Sequence, residues 1–105
     1  MEYKTIKVSK KNKVATIEIN RPGVLNAFNT QLILDLQEVT QLVKDDDDTR
    51  VVIISGSGRA FSSGADLTEA DSDWDGSKDA LLRGFKPSFE NIISMPKPVI
   101  AYFYC

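Results

Sequence analysis

A chain of 105 residues, 42% hydrophobic and 27% charged, has the size and composition of one small domain with a single core. Its net charge of −2 argues against nucleic acid or an anionic membrane surface as the main partner. It has no histidine, which excludes a His-dependent triad or a His-ligated metal within these residues. Its single cysteine, Cys105, excludes a disulfide framework and fits a reducing, cytoplasmic compartment. MEYKTIKVSKKNK at the N-terminus lacks an apolar h-region, and no apolar run approaches the ~20 residues of a membrane span, so neither signal peptide nor membrane segment is expected.

Tyr3 to Val8 and Val14 to Ile19 alternate apolar and polar positions, with Ala15, Ile17 and Ile19 on one face and Thr16 and Glu18 on the other. Joined by the polar Ser9 to Lys13, they predict an antiparallel hairpin with one solvated face. Asn20-Arg21-Pro22-Gly23 interrupts the chain with turn chemistry. A helix is expected from an N-cap at Asn29 or Thr30 to about Lys44, burying Leu32, Leu36, Val39 and Val43, with Ile33 and Leu42 alongside. The run Asp45-Asp46-Asp47-Asp48 opposes the negative end of that helix and reads as a solvated stop and loop.

Val51 to Ile54 is apolar on both faces, as in a parallel strand covered on each side, and strand–helix–strand in this order predicts a right-handed crossover. Beyond an acidic, loop-like stretch from Leu67 to Asp79, Ala80 to Met95 places Leu81, Phe85, Phe89 and Ile92 on one helical face. Pro87 is expected to kink or split that helix. Pro96-Lys97-Pro98 ends it and launches the apolar Val99 to Cys105. The expected class is α/β, in the order hairpin, helix, parallel strand, helix, terminal strand. A chain that stops inside its most apolar run reads as part of a larger domain, the alternative being a central strand, Val99 to Cys105, that simply falls at the C-terminus.

Small residues follow the third strand: GRAFSSGADL, Gly58 to Leu67. Gly56-Ser57-Gly58-Arg59-Ala60-Phe61 puts Phe61 where a dinucleotide fingerprint needs its third glycine, and Gly64-Ala65 lacks the lysine of a phosphate loop. Ala60-Phe61-Ser62-Ser63-Gly64 is no nucleophile elbow, and no histidine is present to activate either serine. Asp71-Ser72-Asp73-Trp74-Asp75-Gly76 copies the first half of a calcium loop, with Asp79 at the ninth position. Leu82 stands where the bidentate glutamate belongs, which leaves a solvated acidic loop or a weak adventitious cation site, and no metal is assigned. On its residues alone, GRAFSSGADL is either an ordinary strand-to-helix connection or a backbone site. In the second case, N–H groups of a helix starting near Asp66 would receive an anion or oxyanion.

Four segments in order resemble the crotonase superfamily, the enoyl-CoA hydratase/isomerase family. They are VATIEINRP with LNAF (Val14 to Pro22, Leu25 to Phe28), VVIISGSGRAFSSGADL (Val51 to Leu67), the helix end Ile92-Ile93-Ser94-Met95, and PKPVIA (Pro96 to Ala101). The resemblance covers nearly the whole chain but only the opening part of a typical family domain. It implies a superhelix of ββα units of which residues 1–105 are a partial, N-terminal portion ending within a core strand. It also implies an acyl-CoA thioester partner, with enolate charge stabilised by a backbone oxyanion hole in which the Ala65 N–H is one donor. Ser63, Gly64, Ala65, Asp66, Leu67 and Thr68, with Leu25 and Ala27 from the earlier loop, would line the coenzyme A.

No cofactor is implied beyond coenzyme A as part of the substrate. The reaction implied for the full-length form is hydration of a 2-enoyl-CoA, as a lyase of fatty acid metabolism. The alternatives are double-bond isomerisation, or a catalytically incomplete, non-enzymatic fragment. The family's second oxyanion donor and its catalytic carboxylates belong to segments beyond this resemblance, and Glu69 and Glu90 match no catalytic position. Full-length relatives form trimers or hexamers; the state of this short form is left open.

Overall fold

The computed structural model describes residues 3–58, 61–62 and 78–102, with side chains in the second helix from Lys86 onward. Strands β1 (Ile6–Lys11) and β2 (Val14–Ile19) form the expected antiparallel hairpin. β1 lies later in the chain than its alternation predicts. Asn12 and Lys13, at φ 53° and 68°, close a two-residue turn of the I′ pattern, so pairing continues through Ser9, Lys10 and Lys11. These three side chains are exposed, as befits an edge strand held by its backbone, and leave no apolar signal to read.

Helix α1 (Thr30–Asp45) starts where Asn29, in an extended conformation, accepts a hydrogen bond from the Leu32 N–H at 2.9 Å. Leu32, Leu36, Val39 and Val43 are buried as predicted and pack with Ile6, Ala15, Ile17, Ile19, Val52 and Ile54 into one core. Ile33 is half-buried, and Leu42 stands 41% exposed at the margin. The same face also buries Asp35, whose carboxylate accepts from the Thr5 N–H (3.2 Å), Thr5 Oγ1 (2.7 Å) and Gln31 Nε2 (2.8 Å). A buried charge is tolerable only when hydrogen-bonded in this way.

The aspartate run is less of a solvated loop than its charge implies. α1 takes in Asp45, and Asp46 caps it with a half-buried carboxylate that accepts from Lys10 Nζ (2.9 Å), Thr49 Oγ1 (2.7 Å) and the Asp48 N–H (3.1 Å). Lys97 Nζ donates to the Val43 and Asp46 carbonyls at 2.9 and 2.8 Å. Cations thus meet the negative end of the helix and make the acidic stop possible.

β3 (Val51–Gly56) pairs in parallel with β2, the two joined through α1, and β4 (Val99–Tyr102) pairs in parallel with β3. The sheet order is β1-β2-β3-β4. Val52 and Ile54 face the core, whereas Ile53, Ile100 and Tyr102 lie on the opposite face, the last two 51% and 53% exposed. Among the described residues, then, β3 is buried on one face and not on both.

Helix α2 (Lys78–Ile93) runs across Pro87 as one helix, so the proline does not split it. Pro87 is exposed, so the i→i−4 bond it cannot make lies on the outer side of the helix. The buried face also differs: Phe89 is 50% exposed, while Ser88 is 1% exposed and Asn91 Nδ2 donates to Thr40 Oγ1 of α1 at 3.0 Å. Ile92 and Met95 complete that face against the core. The side chains of Leu81 and Phe85 lie outside the described residues. No helix among the described residues is long and apolar enough to cross a membrane.

Candidate functional site

Two loops leave the carboxyl ends of the parallel strands β2 and β3, the edge at which open α/β sheets bind ligands. The first, from Asn20 to Asn29, turns through a 3-10 segment at Pro22–Val24, made possible by a proline at its first position. Leu25 and Asn26 follow in consecutive left-handed conformations, φ 53° and 57°. Asparagine tolerates this region; leucine does so at a cost of about 1–2 kcal/mol. Strain of this kind persists only where the surroundings fix it, and here they do: the Leu25 N–H donates to the Pro22 carbonyl (3.2 Å), the Asn26 N–H to the Arg21 carbonyl (2.8 Å), and the Ala27 N–H to the Val24 carbonyl (3.1 Å).

The second loop leaves β3 at Ser57 and Gly58 and is fastened to the first at several points. The Ser57 N–H donates to the Ile19 carbonyl (2.8 Å), extending the parallel pairing by one residue, and Ser57 Oγ donates to Asn20 Oδ1 at 3.2 Å. Asn26, 0% exposed, accepts from the Arg21 N–H through Oδ1 (2.7 Å) and donates through Nδ2 to the Ser57 carbonyl (2.8 Å). Ser62 Oγ donates back to the Asn26 carbonyl at 2.8 Å. Gly58 sits at φ 77°, its α-carbon over Pro22 of the first loop; a Cβ there would meet Pro22 Cβ at 3.1 Å. Phe61 packs against the core beneath. The result is a platform made from two loops fastened to each other through main chain and short polar side chains.

Of the predicted site residues, Leu25 and Ala27 lie on the first loop. Leu25 is 38% exposed at the surface. Ala27 turns its methyl inward at 7% exposure, and its carbonyl accepts from Arg21 Nη1. Ser63, Gly64, Ala65, Asp66, Leu67 and Thr68 lie outside the described residues, as do the helix start expected near Asp66 and the calcium-like Asp71 to Gly76. Among the described residues no three metal-ligating side chains cluster. A mostly apolar cleft of about 180 Å³ opens at the other end of the sheet, lined by Val8, Ala15, Val39, Leu42 and Val43 together with Tyr3, Thr49 and the Lys10–Asp46 ion pair. Sequence reading passed over Asn26, Arg21, Ser57 and Ser62. Asn26 stood inside the quoted LNAF motif, and an asparagine after a Pro-Gly turn was the available signal for a left-handed, bridging residue.

Comparison with known proteins places this geometry. The enoyl-CoA hydratase/isomerase family matches residues 9–103. A Mycobacterium tuberculosis protein named as a probable enoyl-CoA hydratase is 35% identical over 102 residues, covering 96% of this chain and 38% of the relative. The 1,2-epoxyphenylacetyl-CoA isomerase of Escherichia coli is also 35% identical, over 83% of this chain and 35% of its own. The crystal structure of an enoyl-CoA hydratase/carnithine racemase from Magnetospirillum magneticum superposes with a TM-score of 0.88 at 28% identity, covering 98% of this chain and 40% of that one. The chain thus spans 38% of the length of the first of these relatives, and its mixed sheet with two helices corresponds to the N-terminal portion of their fold.

Proposed function

Because the chain belongs to the enoyl-CoA hydratase/isomerase family, we propose that residues 1–105 supply the thioester-binding side of such an enzyme. The observation that carries this reading is the pair of loops at the carboxyl ends of β2 and β3, locked together through Asn26. Coenzyme A lying against main chain needs a wall fixed in place, and the hydrogen bonds between these loops support one. Leu25 and Ala27 would line the coenzyme A arm, and the segment from Ser63 to Thr68, continuing the second loop, would form the opposite wall. The Ala65 N–H would donate to the thioester oxygen as enolate charge develops; one such donor contributes about 2.7–4 kcal/mol to a transition state. Coenzyme A enters as part of the substrate.

In the full-length form the reaction is hydration of a 2-enoyl-CoA. Double-bond isomerisation is the second reading, favoured by 34% identity, over 94% of this chain, to the mitochondrial Delta(3,5)-Delta(2,4)-dienoyl-CoA isomerase of Mus musculus. The described residues hold no carboxylate in the platform to serve as acid or base, so the 105-residue chain is expected to bind without turning over. Action in the cytoplasm and assembly into trimers or hexamers by the full-length form belong to the same reading.

Titration of the purified chain with crotonyl-CoA and with free coenzyme A tests it. The thioester should bind more tightly than coenzyme A, and Ala65→Pro, which removes the N–H, should abolish the difference. Absence of binding at millimolar thioester, or a difference untouched by Ala65→Pro, would refute the reading. Hydration of crotonyl-CoA above the buffer rate by this chain would refute the expected lack of turnover.

A further inference from the structure

We propose that Asn26 is a positioning residue whose side-chain amide couples the two loops and holds Ser57 of the second against Arg21 of the first. No side-chain atom of Asn26 reaches solvent, and its amide is used at both ends: Oδ1 takes the Arg21 N–H of its own loop at 2.7 Å, and Nδ2 gives to the Ser57 carbonyl of the other at 2.8 Å. Its main chain is used as well, since Ser62 Oγ donates to the Asn26 carbonyl, so the second loop is gripped at both Ser57 and Ser62. A short amide meets these demands. The first contact needs an acceptor, the second a donor, and the φ of 57° favours a short polar side chain that can sit in the left-handed region. Asn26 is buried and Ser57 half-buried, so loss of the donor leaves the Ser57 carbonyl without this partner.

Two replacements separate coupling from general destabilisation. Asn26→Asp keeps the shape, the backbone angle and an acceptor for the Arg21 N–H, but sets an oxygen against the Ser57 carbonyl. Asn26→Gly keeps the backbone angle without strain and deletes both bonds. Amide hydrogen exchange followed by NMR on the full chain reads the outcome directly. In Asn26→Asp the amides at 57, 58, 61 and 62 should exchange about tenfold faster while the Arg21 amide stays protected; in Asn26→Gly both loops should loosen by about that factor. Leu36 and Val39 in α1 should hold their protection in each.

A change spread evenly over loops and core, or no change at 57–62 in Asn26→Asp, overturns the coupling. The consequence for ligand rests on the thioester reading: crotonyl-CoA should bind Asn26→Gly about tenfold more weakly. Loosened loops with unaltered affinity overturn the role in the site. If the unaltered chain binds no crotonyl-CoA, the thioester reading falls and the exchange pattern still decides the coupling.

Discussion

Replacing Gly58 by alanine should strain the same junction from the other strand, by two separable effects. The residue stands at φ 77°, where a Cβ costs about 1–2 kcal/mol. That Cβ would also lie 3.1 Å from Pro22 Cβ and 3.9 Å from Pro22 Cα, so the 3-10 turn must give by a few tenths of an ångström. Overpacking of this kind adds about 1 kcal/mol, and the stiffer unfolded chain returns about 0.4–1 kcal/mol. The net loss should be about 1–2.5 kcal/mol, read from urea unfolding followed by far-UV circular dichroism. Pro22→Gly removes the opposing Cβ, so in that background Gly58→Ala should cost about 1 kcal/mol less, the coupling that a double-mutant cycle reports. Gly58→Asn carries the same Cβ but tolerates the backbone angle and should fall between glycine and alanine. A Gly58→Ala midpoint within about 0.5 kcal/mol of the unaltered chain would show that neither effect operates; a full loss with no coupling to Pro22 would leave the backbone angle as its sole cause.

At the opposite end of α1, Asp46 gives a pH dependence. The hydrogen bond from Lys10, then those from Thr49 and the Asp48 N–H, lower its pKa from 3.8 to about 2. A depressed carboxylate contributes stability above the unfolded value and loses it as pH falls from 3.8 towards 2, so the urea midpoint should drop through that window and drop less in Asp46→Asn. Lys10 is shifted upward by Asp48 and Asp46, and its share is present below 10.5 and lost at higher pH; Lys10→Met should remove that alkaline limb. Lys97→Met deletes both ammonium donors to the end of α1 and should cost about 1–2 kcal/mol of unfolding free energy, with an unchanged midpoint counting against the cap. Lys13→Gly relieves a side chain held at φ 68° and should stabilise the hairpin by up to about 1 kcal/mol, visible as a higher melting temperature.

The elements that could be read from the sequence are those whose physics is local. β2 announces itself through Ala15, Ile17 and Ile19, and α1 through Leu32, Leu36, Val39 and Val43 after an asparagine cap, because alternation and helical spacing are written in neighbouring residues. β1 was misplaced because the pairing of Ser9 to Lys11 is carried by backbone bonds that any side chain permits. Phe89 was assigned inward because apolar spacing cannot tell which face meets α1; Asn91 bonding to Thr40, 51 residues away, decides that. Pro87 looked like a break because its exposure, which makes it harmless, is a tertiary fact. The candidate site divides along the same line. Its small residues and their place after β3 were legible, whereas the Asn26 bridge depends on Ser57, 31 residues distant, and no local pattern encodes it.

The ammonium group of Lys97 has a consequence for the order in which the chain assembles. The hairpin closes across two residues, but Lys97 reaches carbonyls 51 and 54 positions earlier, so its bonds wait until a long stretch of chain has been drawn in. The neighbouring Pro98 carbonyl receives the Val52 N–H at 3.0 Å, which begins the last strand pairing at the same moment. Lys97 therefore works as a latch: it ties the start of the fourth strand, which pairs along β3, to the end of the first helix as well.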